Sequence, residues 1–360
     1  MHHVTPPPFR TATALLAALA LGGALTACGG ASHAADGKPS TEVTVYSADG
    51  LKSENGDGFY DKVFQQFTAR TGIKVRYVEG GSGEMVQRLV RERSNTQADV
   101  VVTLPPFIQQ AASKGLLDPY TAAGEDHVAA ADKDAHGAWV SIVDNYLCFI
   151  YNTEQVPRPP KTWADLLAPA YKDKLQYSTP GVAGDGTAVL IKAMHDLGGK
   201  DPALAYLKKL QASNVGPSAS TGQLAGKVDK GELLIANGDV QMNYADMASM
   251  PHQGIFFPAA DATSEPTTFG LPYAAGVVRN GPHEDAAKKL MDFFLSAEVQ
   301  RQVSSVGGGF AARTDVEATD PNARKLRQIM AGVDVFTPDW NDVNTNLTSY
   351  VDAWKDATGS

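Results

Sequence analysis

Hydrophobic positions along this chain repeat with two periods, and the alternation between those periods lays out the fold. In "TEVTVYSADGL" Val43 and Val45 recur at every second residue and the run breaks at "SADG", which predicts a strand ending in a turn. "GFYDKVFQQFTARTG" places Tyr60, Val63, Phe64 and Phe67 on one helical face, with Gly72 where a helix C-cap is expected. "IKVRYVEGG" returns to period two at Ile73, Val75 and Tyr77. "SGEMVQRLVRERSN" reads as an amphipathic helix with Met85, Val86, Leu89 and Val90 inward. "ADVVVTLPP" is an unbroken β-branched run, the signature of a strand buried on both faces. The order β-α-β-α-β predicts a mainly parallel sheet covered by helices. Ligands of such sheets lie outside the carboxyl ends of the strands. Here those ends are "YSAD", "VEGGSG" and "VTLPP", all small, polar or exposing backbone.

The second half repeats this logic. "AWVSIVDNYLCFIYN" is one long strand-like passage, "KTWADLLAPAYKDKL" a short helix and loop, and "LQYSTP" a strand. "DPALAYLKKLQA" is a helix with Pro202 near its start. "GELLIANGDVQMNYADM" reads as a helix end, a turn and a strand. "GIFFPA" and "PYAAGVVRN" are further strands, and "HEDAAKKLMDFFLSAEVQRQVSS" is one long amphipathic helix.

The 360 residues suggest two lobes, at about 150 residues per domain. The formal net charge of -9 argues against a nucleic-acid partner, but not against a small anion bound by aimed donors. The first 27 residues read as a signal peptide, with a short apolar run ending in "LTAC". That run is shorter than the roughly 20 residues of a membrane span. "LTAC" resembles a bacterial lipobox, so Cys28 is expected to carry a lipid and residues 28–40 to form a flexible tether. The other cysteine, Cys148, lies in an apolar run and reads as a buried small hydrophobe.

Taken together, "VTVYSADGL", "FTARTGIKVRYVEGGSGEMVQRL" and "ADVVVTLPPFIQQAASKGLL" resemble the extracytoplasmic solute-binding proteins of ABC importers, in the class that includes the ferric-iron binders. Within it, "STPGVAGDGTAVL", "NVGPSASTGQL" and "ANGDVQMN" look like motifs of the 2-aminoethylphosphonate-binding group. The resemblance covers residues 41–345. It implies an α/β, two-lobed periplasmic-binding-protein fold of type II, each lobe a mixed, mostly parallel sheet covered by helices, with the ligand in the interlobe cleft. The lobes would be 41–144 plus 275–360, and 145–274. It further implies a monomer, lipid-anchored to the membrane outside the cytoplasm, that hands its ligand to a permease and its ATPase, and it implies no cofactor.

A zwitterion such as 2-aminoethylphosphonate needs two recognitions. Its phosphonate suits hydroxyls and N–H groups at helix N-termini, and its ammonium suits a carboxylate or an aromatic face. "STPGVAGDGTAV" offers Thr179, Gly186 and Thr187 as phosphonate donors, with Asp185 read as the helix N-cap. "PSASTG" adds Ser218, Ser220 and Thr221, and "EGGSGEM" adds Ser82 and Gly83. "YSADG" brings Tyr46, Ser47 and Asp49 to a strand end, with Asp49 the candidate for the ammonium. Thr103 ends a buried strand, Tyr146 stands at the crossover, and Asn243 and Tyr244 lie in "MNYADM". The ferric-binding class uses adjacent tyrosines at that last position. One tyrosine preceded by asparagine is a poor site for a hard trivalent ion, and no histidine here has metal spacing. Ferric iron, thiamine, inorganic phosphate and polyamines remain alternative solutes. A secreted phosphoester hydrolase is a distant alternative, since no G-x-S-x-G or H-E-x-x-H is present.

Overall fold

The structure is a computed structural model that describes residues 40–53 and 55–360. Cys28 and the apolar leader lie outside the described residues. The strands in chain order are β1 (Glu42–Ala48), β2 (Lys74–Gly80), β3 (Val100–Thr103), β4 (Leu117–Asp118), β5 (Val140–Val143), β6 (Leu147–Asn152), β7 (Leu175–Gln176), β8 (Ile235–Asp239), β9 (Gln253–Phe256), β10 (Thr267–Phe269), β11 (Tyr273–Val278) and β12 (Asp334–Phe336). The α-helices are α1 (Phe59–Thr71), α2 (Ser82–Arg91), α3 (Phe107–Ser113), α4 (Gly184–Asp196), α5 (Lys200–Gln211), α6 (Gly222–Asp229), α7 (Val240–Asp246), α8 (Glu284–Phe294), α9 (Ala297–Gln300), α10 (Pro321–Ile329) and α11 (Trp340–Thr358).

Two sheets carry the molecule. The first runs β2-β1-β3-β11-β4, and β5 also pairs with β11. β1 is parallel to β2 and β3, while β11 is antiparallel to β3. Side chains alternate across it as the period-two pattern requires. Val43 and Val45 pack with Phe59, Val63 and Phe67 of α1 and Leu290 of α8, while Tyr46 and Val101 pack on the other face with Met85 and Leu89 of α2 and Phe107 of α3. The unbroken valines of β3 are therefore buried on both faces, and each contributes about 1.5–3 kcal/mol of burial. The second sheet runs β7-β8-β6-β9, with β7 parallel to β8 and β6 antiparallel to both of its neighbours.

Three elements depart from the sequence reading, each for a local reason. The passage expected as one strand divides at Asp144–Tyr146 into β5 of the first sheet and β6 of the second. "IANGDVQMNYAD" runs strand then helix, the reverse of the expected order. The "NGD" that reads as a turn instead ends β8, and Asp239 starts α7 by accepting from Met242 N at 2.7 Å. The long helix after Glu284 stops at Phe294 because Ser296 caps a new one, accepting from Val299 N at 3.4 Å. Val90, expected inward, is 44% exposed at the edge of its stripe.

Helix α4, which opens with "GDGT", is pinned at its far end. Lys192 and Asp196 are a fully buried ion pair one turn apart, and the ammonium also donates to the Pro258 carbonyl. Trp163 Nε1 donates to Asp196 at 2.7 Å, and Thr267 of β10 donates to the same carboxylate. Just before the near end of α4, the loop at Gly181 stands against Val351 of α11, which packs along α5. Helix α11 packs Leu347 and Val351 into the first sheet's outer layer and bonds Trp354 Nε1 to Tyr177 Oη behind the second sheet. Removing the cation leaves a buried, uncompensated carboxylate. Lys192→Met is therefore expected to lose about 3–5 kcal/mol of stability in urea denaturation. Adding Asp196→Asn, which removes the charge but keeps an acceptor for Trp163, should recover part of that loss. An unchanged midpoint for Lys192→Met would show that the pair does not hold α4.

Candidate functional site

The carboxyl ends of β1, β2 and β3 meet the carboxyl ends of β7 and β8 along one seam. Helices α2, α4 and α6 all begin there, each leaving first-turn N–H groups without an intrahelical acceptor and each presenting the positive end of its dipole. The two sides touch closely because the chain is bare at the contact. A Cβ on Gly83 would stand 2.5 Å from the Gly181 carbonyl oxygen, and one on Gly81 would stand 2.8 Å from that of Val182. Gly83 N donates across the seam to Val182 O at 2.9 Å.

Carboxylates gather at these helix starts. Asp49, just past β1, reaches across the seam to accept from Ser220 Oγ and from Gly222 N, the latter at 3.0 Å, at the first residue of α6. Asp239, just past the core of β8, caps α7. Tyr273 Oη stands 3.2 Å from Asp239 Oδ2 and 2.9 Å from the Asp49 carbonyl, one hydroxyl between two acceptors. Burial pushes the Asp239 carboxyl up to about 6, even with the Met242 N–H favouring its charged form. Asp185 is raised well above the usual carboxylate range, first by burial and then by the charges of Asp239 and Asp49. Asp185 is not the cap that the sequence suggests. Helix α4 starts one residue earlier, Ala183 is its N-cap, and the Asp185 side chain turns inward with Oδ1 lacking a hydrogen-bond partner. Burial likewise raises the phenol of Tyr273.

The seam brings together Asp49, Ser82, Gly83, Thr179, Gly186, Ser218, Ser220 and Thr221 from the sequence expectation, but it commits several of their polar groups to the protein itself. Thr179 and Ser218 bond each other's backbones, and Thr179 Oγ1 accepts from Ser218 N at 3.2 Å. Ser218 Oγ donates to Ser220 O. Thr221 Oγ1 lies 2.9 Å from Ser178 Oγ, which is tied in turn to Asn237. Ser82 is buried, with its hydroxyl against the start of α4, and its carbonyl accepts from Thr103 Oγ1.

Six other candidates have their side chains engaged elsewhere in the protein. Tyr46 points into the α2 layer, donating to Glu92 with Arg88 over its ring, and Ser47 donates to the Ala48 carbonyl beside Tyr60 Oη. The Thr187 hydroxyl accepts from Gly181 N at 2.8 Å and donates to Ala183 O at 2.9 Å, so it braces the loop instead of facing a ligand. Asn243 is buried against Gln253 on the inner side of α7. Tyr146 stacks edge-on against Phe310 at the crossing between the sheets. Tyr244 lines a separate cavity of about 780 Å³ beside the seam, shared with Gly50, Gln241, Gly307 and Asn322, and its hydroxyl donates to Asn322. Among the described residues no three His, Cys, Asp or Glu side chains are grouped to hold a metal.

Sequence reasoning missed Asp239, Tyr273 and Gln241. Asp239 carried a usable signal, an Asp directly before a helical run, but the preceding "NG" suggested a turn. Tyr273 reaches the seam from a strand in the opposite direction, and nothing local shows that.

Comparison with known proteins gives a consistent set of likenesses. The family model for bacterial extracellular solute-binding proteins matches residues 51–301. A Salmonella typhimurium protein, named provisionally as a 2-aminoethylphosphonate-binding periplasmic protein, is 46% identical over 318 residues, spanning 88% of this chain and 93% of that protein. The periplasmic binding protein AfuA from Actinobacillus pleuropneumoniae, solved with fructose-6-phosphate, superposes with a TM-score of 0.76 at 20% identity, covering 89% of this chain and 99% of that one. A ferric binding protein from Campylobacter jejuni gives 0.69 at 22%, covering 88% and 99%.

The brace at Thr187 can be separated from any ligand role. Thr187→Val leaves Gly181 N–H without its acceptor and is expected to cost about 1–3 kcal/mol in urea denaturation, while Thr187→Ser stays close to the parent. Equal stability of all three would show that the loop does not depend on this hydroxyl.

Proposed function

The chain belongs to the bacterial extracellular solute-binding proteins, the receptors of ABC importers, and from that premise we propose that its solute is 2-aminoethylphosphonate. One observation carries the reading. Three helix N-termini converge on a single seam, which suits a small tetrahedral oxyanion. The relative in Salmonella typhimurium, 46% identical along most of the chain, supports the same solute. The family is one of binding proteins, and the role is capture and delivery to a permease and its ATPase.

In this reading the two sheets are two lobes, 41–144 plus 275–360 and 145–274, and the seam is the cleft between them. Closure turns on the passage at Asp144–Tyr146 and on the return through 257–272, with α11 lying against both sides. Asp49 is the latch of the closed form, since its carboxylate ties the end of β1 to the start of α6. The protein acts as a monomer, held to the membrane outside the cytoplasm by a lipid on Cys28. Among the described residues no helix is long and apolar enough to cross a membrane.

Thermal shift and calorimetry on residues 41–360 test the solute. At a ligand concentration of 100 times the dissociation constant, 2-aminoethylphosphonate should stabilise the fold by about 2.7 kcal/mol. Inorganic phosphate, ferric citrate, thiamine and spermidine should give much less. A clear shift with iron, thiamine or spermidine and none with any phosphonate would falsify the assignment. For the anchor, Cys28→Ser should move the full chain from the membrane fraction to the soluble fraction. Retention of lipid labelling in that variant would refute lipid attachment at Cys28.

A further inference from the structure

We infer that Asp49, Asp185 and Asp239 are the ammonium-recognising end of the seam, and that an entering ammonium group displaces a proton from the buried pair Asp185 and Asp239. The inference rests on the ligand reading above and adds which residues hold the amine and what binding does to their protonation.

The three acids come from three different elements: the end of β1, the first turn of α4 and the end of β8. They lie close enough for the charges of Asp239 and Asp49 both to disfavour ionisation of Asp185, and for Asp49 to disfavour that of Asp239. The other titratable groups that feel them are the Tyr273 phenol from β11 and the Cys148 thiol from β6, both buried and neutral, and, on the Asp49 side, Glu79 and Tyr77 of β2, both raised by burial first and also by the charge of Asp49, with Lys52 beside Glu79. None of the three acids forms an ion pair with a lysine, arginine or histidine among the described residues. A cluster of buried acids with no cation is costly, because a buried charge needs a partner.

The cluster is also short of donors. Asp185 is 3% exposed and its Oδ1 has no hydrogen-bond partner. Gln241 is 1% exposed, and its Nε2 donates to the carbonyls of Gly50 and Gly307, but its Oε1 has no partner either. Both orphans are acceptors. A primary ammonium brings three N–H donors and one positive charge, and so meets both deficits at once. A second phosphonate meets neither, and a neutral donor meets only the lack of donors.

The protonation follows from the same facts. With burial pushing Asp239 up to about 6 and raising Asp185 well above the usual carboxylate range, the empty cluster retains a proton into mildly acidic pH. A bound ammonium favours the ionised form, so the carboxylic proton leaves to solvent as the ligand enters. By linkage, binding must then weaken as pH falls through the raised values, and proton release must be seen at and below those values, where the empty acids still hold the proton, and fade above them.

The test compares 2-aminoethylphosphonate with ethylphosphonate, which has the same anionic end and no amine. The ammonium makes the phosphonate of 2-aminoethylphosphonate more acidic than that of ethylphosphonate, so each ligand's own titration is measured in solution and subtracted before the ratio of their affinities is taken. That ratio should fall by up to about tenfold per pH unit on the acid side of about pH 6. Calorimetry at about pH 6, the raised value of Asp239, in buffers of different ionisation enthalpy should show net proton release with 2-aminoethylphosphonate beyond that with ethylphosphonate. Asp239→Asn keeps an N-cap for α7 and should lower the ratio at least tenfold while leaving ethylphosphonate binding within a few-fold. Asp185→Asn should do the same. A ratio that is independent of pH, with no excess proton release, overturns the inference while the ligand reading stands. A ratio unchanged in both variants does the same. Binding of neither phosphonate at any pH removes the ligand reading, and this inference with it.

Discussion

The constraint on which the rest of the structure depends is the meeting of helix N-termini in one seam. Each helix start presents N–H groups that its own backbone cannot satisfy. Placing three of them at the carboxyl ends of two sheets concentrates unmet donors and positive dipole ends in one small region. The protein meets part of that demand itself. Val182 O takes the Gly83 N–H, and the Asp49 carboxylate takes Gly222 N–H and the Ser220 hydroxyl. Asp49, drawn in to do so, stands beside the buried acids Asp185 and Asp239, and their burial creates the opposite problem, negative charge without a cation. Anion-seeking helix starts and cation-seeking acids thus stand side by side.

Much of the framework was legible because it rests on local periodicity. The alternation of Val43 and Val45, the stripe of Tyr60, Val63 and Phe67, and the unbroken valines of β3 each report which way side chains must point, and packing obeys them. Boundaries were less legible where one polar residue decides them. Ser296 ends one helix by starting another, and Asp239 converts an apparent turn into a cap. In both cases the side chain competes for backbone N–H groups, and its success depends on the chain direction around it.

The site was legible as loops but not as contacts. "EGGSG", "GDGT" and "PSASTG" do meet, as small residues at strand ends suggest. Their hydroxyls, however, mostly serve one another. Thr187 braces Gly181, Thr179 ties to Ser218, and Ser178, Thr221 and Asn237 form a closed chain. A serine or threonine in a glycine-rich loop has backbone acceptors within easy reach, so a hydroxyl cluster in sequence overstates the number free for a ligand. Carboxylates are understated for the opposite reason. Asp185 reads as a surface cap because acids favour helix starts, and only the third dimension reveals that its side chain turns inward toward two more acids.

Discrimination in such a seam comes from what a wrong ligand leaves unmet. The fold itself is shared with proteins named for iron and solved with a sugar phosphate, so the scaffold does not choose the solute. A ligand with an anionic end alone would satisfy the helix starts and leave Asp185 Oδ1 and Gln241 Oε1 buried without donors. A polyamine would neutralise the acids and leave N–H groups of α2 and α4 facing hydrocarbon or charge of their own sign. Each unmet buried group costs about 1–3 kcal/mol, and more where a charge is involved. Two such penalties outweigh the difference that shape alone can impose on molecules this small. A zwitterion with its charges one short chain apart avoids both, so the selectivity follows from the pairing of opposite deficits and not from either end alone.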